Sequence, residues 1–204
     1  MINYRQKIIK RIFDIVLSSV GLVLVAIPML ILSIAIMIFS KGPIFFTQSR
    51  VGLNGKIFKC IKFRTMYIDS EKYGTITTKR DSRITPIGKI MRRYKLDELP
   101  QLFNVLIGDM SFVGPRPDVV GYADTLKEDD KIILSIRPGI TGPATLKYAN
   151  EEYILSKEMD PIKYNDEVIY PDKVNINKHY IYNYKFSKDV MYILWTLFPK
   201  LFHK

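Results

Sequence analysis

From Ile15 to Ser40 the chain runs for 26 residues without a charge. As one helix this run reaches about 39 Å, more than the roughly 30 Å of a hydrocarbon core, so it belongs in lipid. A cleaved signal peptide fits poorly, because the apolar part is too long and no small-residue cleavage site follows. A single spanning helix is the ordinary arrangement. Two features favour instead a re-entrant hairpin that enters and leaves by one face. Pro28 stands mid-run, where it removes a helical hydrogen bond and favours a kink or break. Arg5, Lys7, Lys10 and Arg11 precede the run and Lys41 and Arg50 follow it, and the positive-inside tendency draws both flanks to the cytoplasm. Backbone groups freed at a bend would bond to one another, to Ser18, Ser19 or Ser33, or to water. Asp14, three residues after Arg11, is spaced for an interfacial ion pair that positions rather than reacts.

The remainder must fold in water. In 204 residues there is room for one ordinary domain and an appendage, divided here as 1–40 in the membrane and 41–204 outside it. With 31 Lys and Arg against 20 Asp and Glu the formal charge is +11, which suits a nucleic acid, a phospholipid surface or a phosphorylated substrate. Nucleic-acid binding would also want aromatics among a basic stripe, and only the charge is in view. Cys60 is the sole cysteine, so no intramolecular disulfide can form, and Ile57, Phe58 and Ile61 around it suggest a packed thiol. His179 and His203 are too few for a zinc site or a His-dependent triad.

Chemistry concentrates at Asp97-Glu98, followed by Arg116, nineteen positions on, between Pro115 and Pro117. Leu99, Leu102, Phe103 and Leu106 fall at i, i+3, i+4 and i+7, the stripe of an amphipathic helix with Asp97 as its cap or first residue. Pro100 is tolerated in such a first turn. A helix N-terminus favours an ionised carboxylate and attracts anions, so an acid there serves as a nucleophile rather than a proton donor. Neighbours on a helix diverge by about 100°, so the two acids would divide the work: one attacks, the other holds a hard cation such as Mg2+. For an isolated Asp-Glu pair the plainer reading is a cap and a dipole partner.

Around this pair, short strands are expected at 43–48 and 56–64 about a turn at Gly52-Leu53-Asn54-Gly55, making a small hairpin. Residues 67–83 read as a polar loop. Pro86 to Tyr94 reads as a helix with Ile87, Ile90 and Met91 inward and Arg92 facing the same anion as Asp97. Arg137-Pro138-Gly139 heads a rigid turn. The stretch 151–165 begins helical and turns to loop, and from Asp189 the residues Val190, Met191, Leu194, Leu197, Phe198 and Leu201 form an apolar face suited to a lipid interface or to a core.

Taken together, the blocks Lys10-Arg11-Ile12-Phe13-Asp14, Phe46-Thr47-Gln48-Ser49-Arg50-Val51-Gly52, Lys62-Phe63-Arg64-Thr65-Met66 and Asp81 to Gly88 resemble a known family. The Asp97-Glu98 segment, Gly108 to Pro117 and Arg137 to Gly142 continue the likeness in order. That family is the bacterial sugar transferases, the small monotopic phosphoglycosyl transferases that begin glycoconjugate assembly on a polyprenyl phosphate. The resemblance implies that Asp97 is the nucleophile on the sugar-bearing phosphate of a UDP-sugar, expelling UMP. It implies that Glu98 is associated with Mg2+, that polyprenyl (undecaprenyl) phosphate then takes the phosphosugar, and that Lys62, Arg92, Arg116 and Arg137 hold phosphate oxygens. Phosphoryl transfer is mostly positioning and charge neutralisation, and guanidinium groups match phosphate geometry, so the chemistry agrees.

Departures are visible too. Ile27 stands before Pro28 where many members have serine, Pro143-Ala144-Thr145 follows Gly142 where many have Trp-Ala-Gln, and an arginine frequent in that segment is missing, so sugar preference does not transfer. Asn177-Lys178-His179-Tyr180 replaces a common acid before an aromatic pair, while Asp189 matches a later family aspartate. The expectation is an α+β protein: a re-entrant membrane helix bent at Pro28, then a mostly helical domain with an antiparallel hairpin and interfacial helices, monotopic on the cytoplasmic face of the bacterial cell membrane. A glycosyltransferase moving the sugar alone would release UDP, and a tethered assembly scaffold would need no Asp97.

Overall fold

A computed structural model describes residues 2–68 and 82–202. The loop expected at 67–83 falls largely outside the described residues, as do Asp81 and His203. The elements in chain order are α1 (Tyr4–Phe39), β1 (Phe45–Val51), β2 (Ile57–Phe63), α2 (Pro86–Arg93), α3 (Gln101–Ile107), β3 (Ser111–Val113), β4 (Gly139–Thr141), α4 (Pro143–Lys147), α5 (Glu151–Leu155), α6 (Pro161–Tyr164), α7 (Tyr170–Tyr182), α8 (Phe186–Leu197) and α9 (Pro199–Phe202). The molecule is α+β and mostly helical. β1 and β2 form the expected antiparallel hairpin, in register from Phe45 opposite Phe63 to Val51 opposite Ile57, while β3 and β4 form a short parallel pair.

Asn3 opens α1 with a reciprocal capping box: its side chain accepts from the Gln6 amide at 2.9 Å and its own amide donates to Gln6 Oε1 at 2.8 Å. The 36-residue helix then runs through Pro28 without interruption. The break expected there does not form, since proline removes a single hydrogen bond and the turns on either side keep theirs. It is the one helix among the described residues long and apolar enough to cross a membrane. One side of it is bare, with Val23, Leu24, Ile27, Leu30 and Ile31 each more than 60% exposed. Its other side packs on the rest of the chain: Met29 and Ile36 are buried with Phe63 and Met91, and Leu22, Val25 and Leu32 join them.

Local signals set the smaller elements. Thr85 caps α2 by accepting from the Gly88 amide at 3.0 Å, with Pro86 at the first helical position. A Cβ on Gly88 would lie 2.1 Å from the Thr65 carbonyl oxygen, so glycine lets α2 close on the end of β2. That contact turns Gly88 and Met91 inward and leaves Ile90 54% exposed, correcting the inward placement expected for Ile90. Further on, α7 and α8 close a second core of Val113, Ile133, Ile136, Val174, Tyr180, Ile181 and Tyr184. Cys60 packs with Val105 and Met110, and burial pushes its thiol up, as befits a structural cysteine.

Candidate active site

Asp97 and Glu98 lie in a 3-10 turn, Leu96–Glu98, ahead of α3, whose N-cap is Pro100. Asp97 is therefore not the cap of α3. Lys95, in the left-handed region at φ 54°, throws the chain into this turn. Within α3 the buried positions are Gln101, Leu102, Asn104 and Val105, whereas Phe103 is 43% exposed. Asn104 explains the rotation: its Oδ1 accepts from the Ile61 amide at 3.0 Å and its Nδ2 donates to the Lys59 carbonyl at 2.8 Å. One fully buried side chain thus rivets α3 to β2, and β2 carries Lys62 to the pair.

The two carboxylates occupy opposed environments. Asp97 is only 9% exposed, and no side chain among the described residues donates to it. Burial and then the Glu98 charge push its carboxyl up, against the pull of Lys62 and Arg92. A helix N-terminus would have favoured the ionised form, but the turn lies outside α3, and desolvation outweighs the nearby cations. Glu98 is held the other way. Burial works to raise it, but Arg116 Nη2 at 2.6 Å and Lys62 Nζ at 3.0 Å, both on Oε1, bring it down to about 2. Glu98 is a fixed anion, and Asp97 is an uncommitted carboxyl beside it.

Each cation is placed by a distinct device. In β2, strand alternation puts Lys62 on the face opposite its neighbour Phe63, the face that buried Cys60 shares. Arg116 projects from a loop whose flanks are tied down: the Pro115 carbonyl accepts from the Gly139 amide at 2.8 Å and the Pro117 carbonyl from Arg50 Nη1 at 3.1 Å. Cβ atoms on Gly114, Gly139 or Gly142 would collide with facing backbone at 2.5 Å or less, so this crossing of β3 and β4 admits only glycine. Arg92 donates through Nε to Thr65 Oγ1 at 2.9 Å and its charge bears on Asp97. Arg137 goes elsewhere. Its Nε donates to the Gly108 carbonyl at 2.7 Å, beyond the far end of α3, so its side chain does not join the other three.

Sequence reasoning missed the residues that hold α1 to the site. Arg11 does not pair with Asp14; it caps the last turn of α3, with Nη1 on the Val105 carbonyl at 2.7 Å and Nη2 on that of Leu106 at 2.8 Å. Asp14, 2% exposed, accepts from the Ser111 hydroxyl and the Phe112 amide, both at 3.1 Å. Lys10 meets Asp189 at 2.6 Å, and the Tyr180 and Tyr184 hydroxyls donate to the same carboxylate at 2.6 and 3.1 Å. At the other end of α1, Arg64 donates to the Ser40 and Lys41 carbonyls at 2.7 and 2.8 Å. These partners lie far apart in sequence, so no local pattern announces them. Beside Arg116, Asp118 bonds the Tyr170 hydroxyl at 3.3 Å, and burial raises it to about 6.

Among the described residues no group of three or more His, Cys, Asp or Glu could hold a metal. Mg2+ asks less, since it binds through one or two carboxylates together with substrate phosphates and waters. Glu98 Oε2, which accepts from no cation among the described residues, is the oxygen that could serve in this way.

An acidic pair set among three cations, in a domain packed on one long apolar helix, is the arrangement to compare with known proteins. The model of the bacterial sugar transferase family matches residues 5–203, and the chain belongs to that family. It is 33% identical over 203 residues to the UDP-glucose:undecaprenyl-phosphate glucose-1-phosphate transferase of Escherichia coli, covering 98% of this chain and 41% of that protein. To the undecaprenyl-phosphate galactose phosphotransferase of Salmonella typhimurium it is 32% identical, over 94% of this chain and 40% of the relative. The exopolysaccharide production protein ExoY of Sinorhizobium fredii is 31% identical over 92% of this chain and 83% of its own length. The chain thus spans less than half of the first two relatives.

Proposed function

We propose that this protein transfers a phosphosugar from a UDP-sugar to undecaprenyl phosphate or a similar polyprenyl phosphate. A carboxylate oxygen of Asp97 attacks the sugar-bearing phosphorus, an aspartyl acyl-phosphate bond to the phosphosugar forms, the diphosphate bridge breaks and UMP leaves with its electron pair. An oxygen of the polyprenyl phosphate then attacks the same phosphorus and the Asp97 carboxylate is released. The observation that carries this reading is the split within the pair: Glu98 spent on Arg116 and Lys62, Asp97 buried and unspent. Lys62, Arg92 and Arg116 orient the diphosphate, and the names of the relatives supply donor and acceptor class. Mg2+ held at Glu98 Oε2 would neutralise charge on the diphosphate. Asp97 attacks as the carboxylate, a form that its burial and the Glu98 charge disfavour and that Lys62 and Arg92 pull back only in part.

In this account the protein sits monotopically on the cytoplasmic face, with α1 bending within the bilayer at Pro28 while its backbone stays helical, rather than spanning. Contacts along the length of α1 support it. Lys10, Arg11 and Asp14 near its start and Ser40 just past its end are all bonded to residues downstream of 45, so the helix never departs from the domain it serves. Exposed Ile107 on α3 and Leu197 and Phe198 at the end of α8 add apolar surface for the interfacial helices. The test is the nucleotide product. Incubated with UDP-sugar and polyprenyl phosphate, the protein should release UMP in step with lipid-linked diphosphosugar, whereas release of UDP would refute the reading.

A further inference from the structure

The first turns of α1 and the Arg137 loop enclose a cavity of about 140 Å³, lined by Lys7, Lys10, Arg11, Asp14, Ser135 and Arg137 among others. Its charges do not cancel. Lys10 is matched by Asp189 behind it, and Asp14 stands against the other three cations, leaving two positive charges over. Arg11 uses both Nη atoms on the carbonyls of Val105 and Leu106. Arg137 uses only Nε, on Gly108, and among the described residues neither of its Nη atoms nor the Lys7 ammonium has a protein partner. The Arg11 and Arg137 guanidiniums are also near enough to repel each other, an arrangement that a bound anion would relieve.

We propose that this pocket binds a phosphate-bearing anion, the phosphodiester headgroup of an anionic membrane phospholipid, held by Arg137 and Lys7 apart from the site at Asp97. Phosphate suits a guanidinium fork with an ammonium and a hydroxyl beside it. The lipid source follows from the helix itself, because the turns that supply Lys7 and Arg11 also expose Ile8 at 41%, Ile12 at 57% and Ile15 at 39%. A headgroup in the pocket would have its acyl chains along that apolar strip. The site is distinct from the acidic pair, since the seven residues of α3 put about 10 Å of helix between them. This inference rests on the membrane placement above, and not on the reaction.

The test is native mass spectrometry of the full chain in mild detergent, titrated with phosphatidylglycerol, with phosphatidylcholine, and with phosphatidylglycerol in competition with inorganic phosphate. The wild type should retain one phosphatidylglycerol in preference to phosphatidylcholine, and the Lys7→Gln/Arg137→Gln double variant should lose that preference by about tenfold. Lys7→Gln alone, at an exposed position bonded to no other side chain, should lower it about threefold and keeps the test decisive if the double variant does not fold. Equal retention by wild type and Lys7→Gln overturns the site. Occupation by inorganic phosphate that excludes the lipid would overturn the lipid assignment. Bound lipid, not turnover, is read, so either negative leaves the role of Asp97 untouched.

Discussion

As the proposed nucleophile Asp97 must be a carboxylate, and burial and the Glu98 charge raise it, so the rate should climb with pH through an acid limb set above the ordinary aspartate range. Burial of Asp97 persists in Glu98→Gln, but the variant removes the second cause of the rise, the Glu98 charge, and leaves Lys62 and Arg92 to lower it. The limb should therefore move to lower pH even as the rate falls, which a pH profile of single turnover would show; an unmoved limb would mean that another group governs it. Asp118 carries a second, opposite lesson. Its carboxyl is raised to about 6, so the fold prefers it protonated, and the stability it contributes is full below about pH 4 and lost as pH rises through 6. Asp118→Asn keeps an acceptor for the Tyr170 hydroxyl without the charge. It should stabilise the protein by roughly 1 to 2 kcal/mol at pH 7.5 and by little at pH 4, measured by thermal unfolding at the two pH values.

Two arginines end two helices: Arg11 closes α3 and Arg64 closes α1, so each helix is finished by a side chain from a distant part of the chain. Arg11→Met strips two charge-assisted bonds from part-buried carbonyls and should cost about 2 kcal/mol or more, with Arg11→Lys recovering part of it, read from denaturation midpoints in one detergent. Elements governed by short-range rules were legible in the sequence. The pattern from Pro86 to Tyr94 announced α2, Gly52 to Gly55 announced the hairpin turn, and the uncharged run announced α1. What escaped was set by distant partners. Gly88 against the Thr65 carbonyl rolled Ile90 outward, and Asn104 on Ile61 and Lys59 turned Phe103 out. The α7 helix also went unseen, because its buried face, Val174, Asn177, Tyr180 and Ile181, is interrupted by an amide and set among Tyr, Asn and Lys residues. Of the site, the pair and three of its cations were readable, while the direction of the Arg137 side chain depended on Gly108 and was not.

Across the whole molecule, the proposed function makes the long helix a platform on which a lipid phosphate and a water-soluble nucleotide meet. Its apolar side is bare, and its opposite side is pinned near both ends to the domain that carries Asp97. Single cysteines introduced at Asn3 and at Lys41 should both react with an impermeant maleimide from the cytoplasmic side of oriented vesicles; protection of one flank would mean that the helix spans. Most of the account, however, turns on one bond. Protein incubated with UDP-sugar in the absence of polyprenyl phosphate should gain the mass of one phosphosugar, confined to the peptide containing Asp97, and lose it when the lipid phosphate is added. An Asp97→Asn protein that still turns over, or a wild type that turns over without that adduct ever forming, would contradict it.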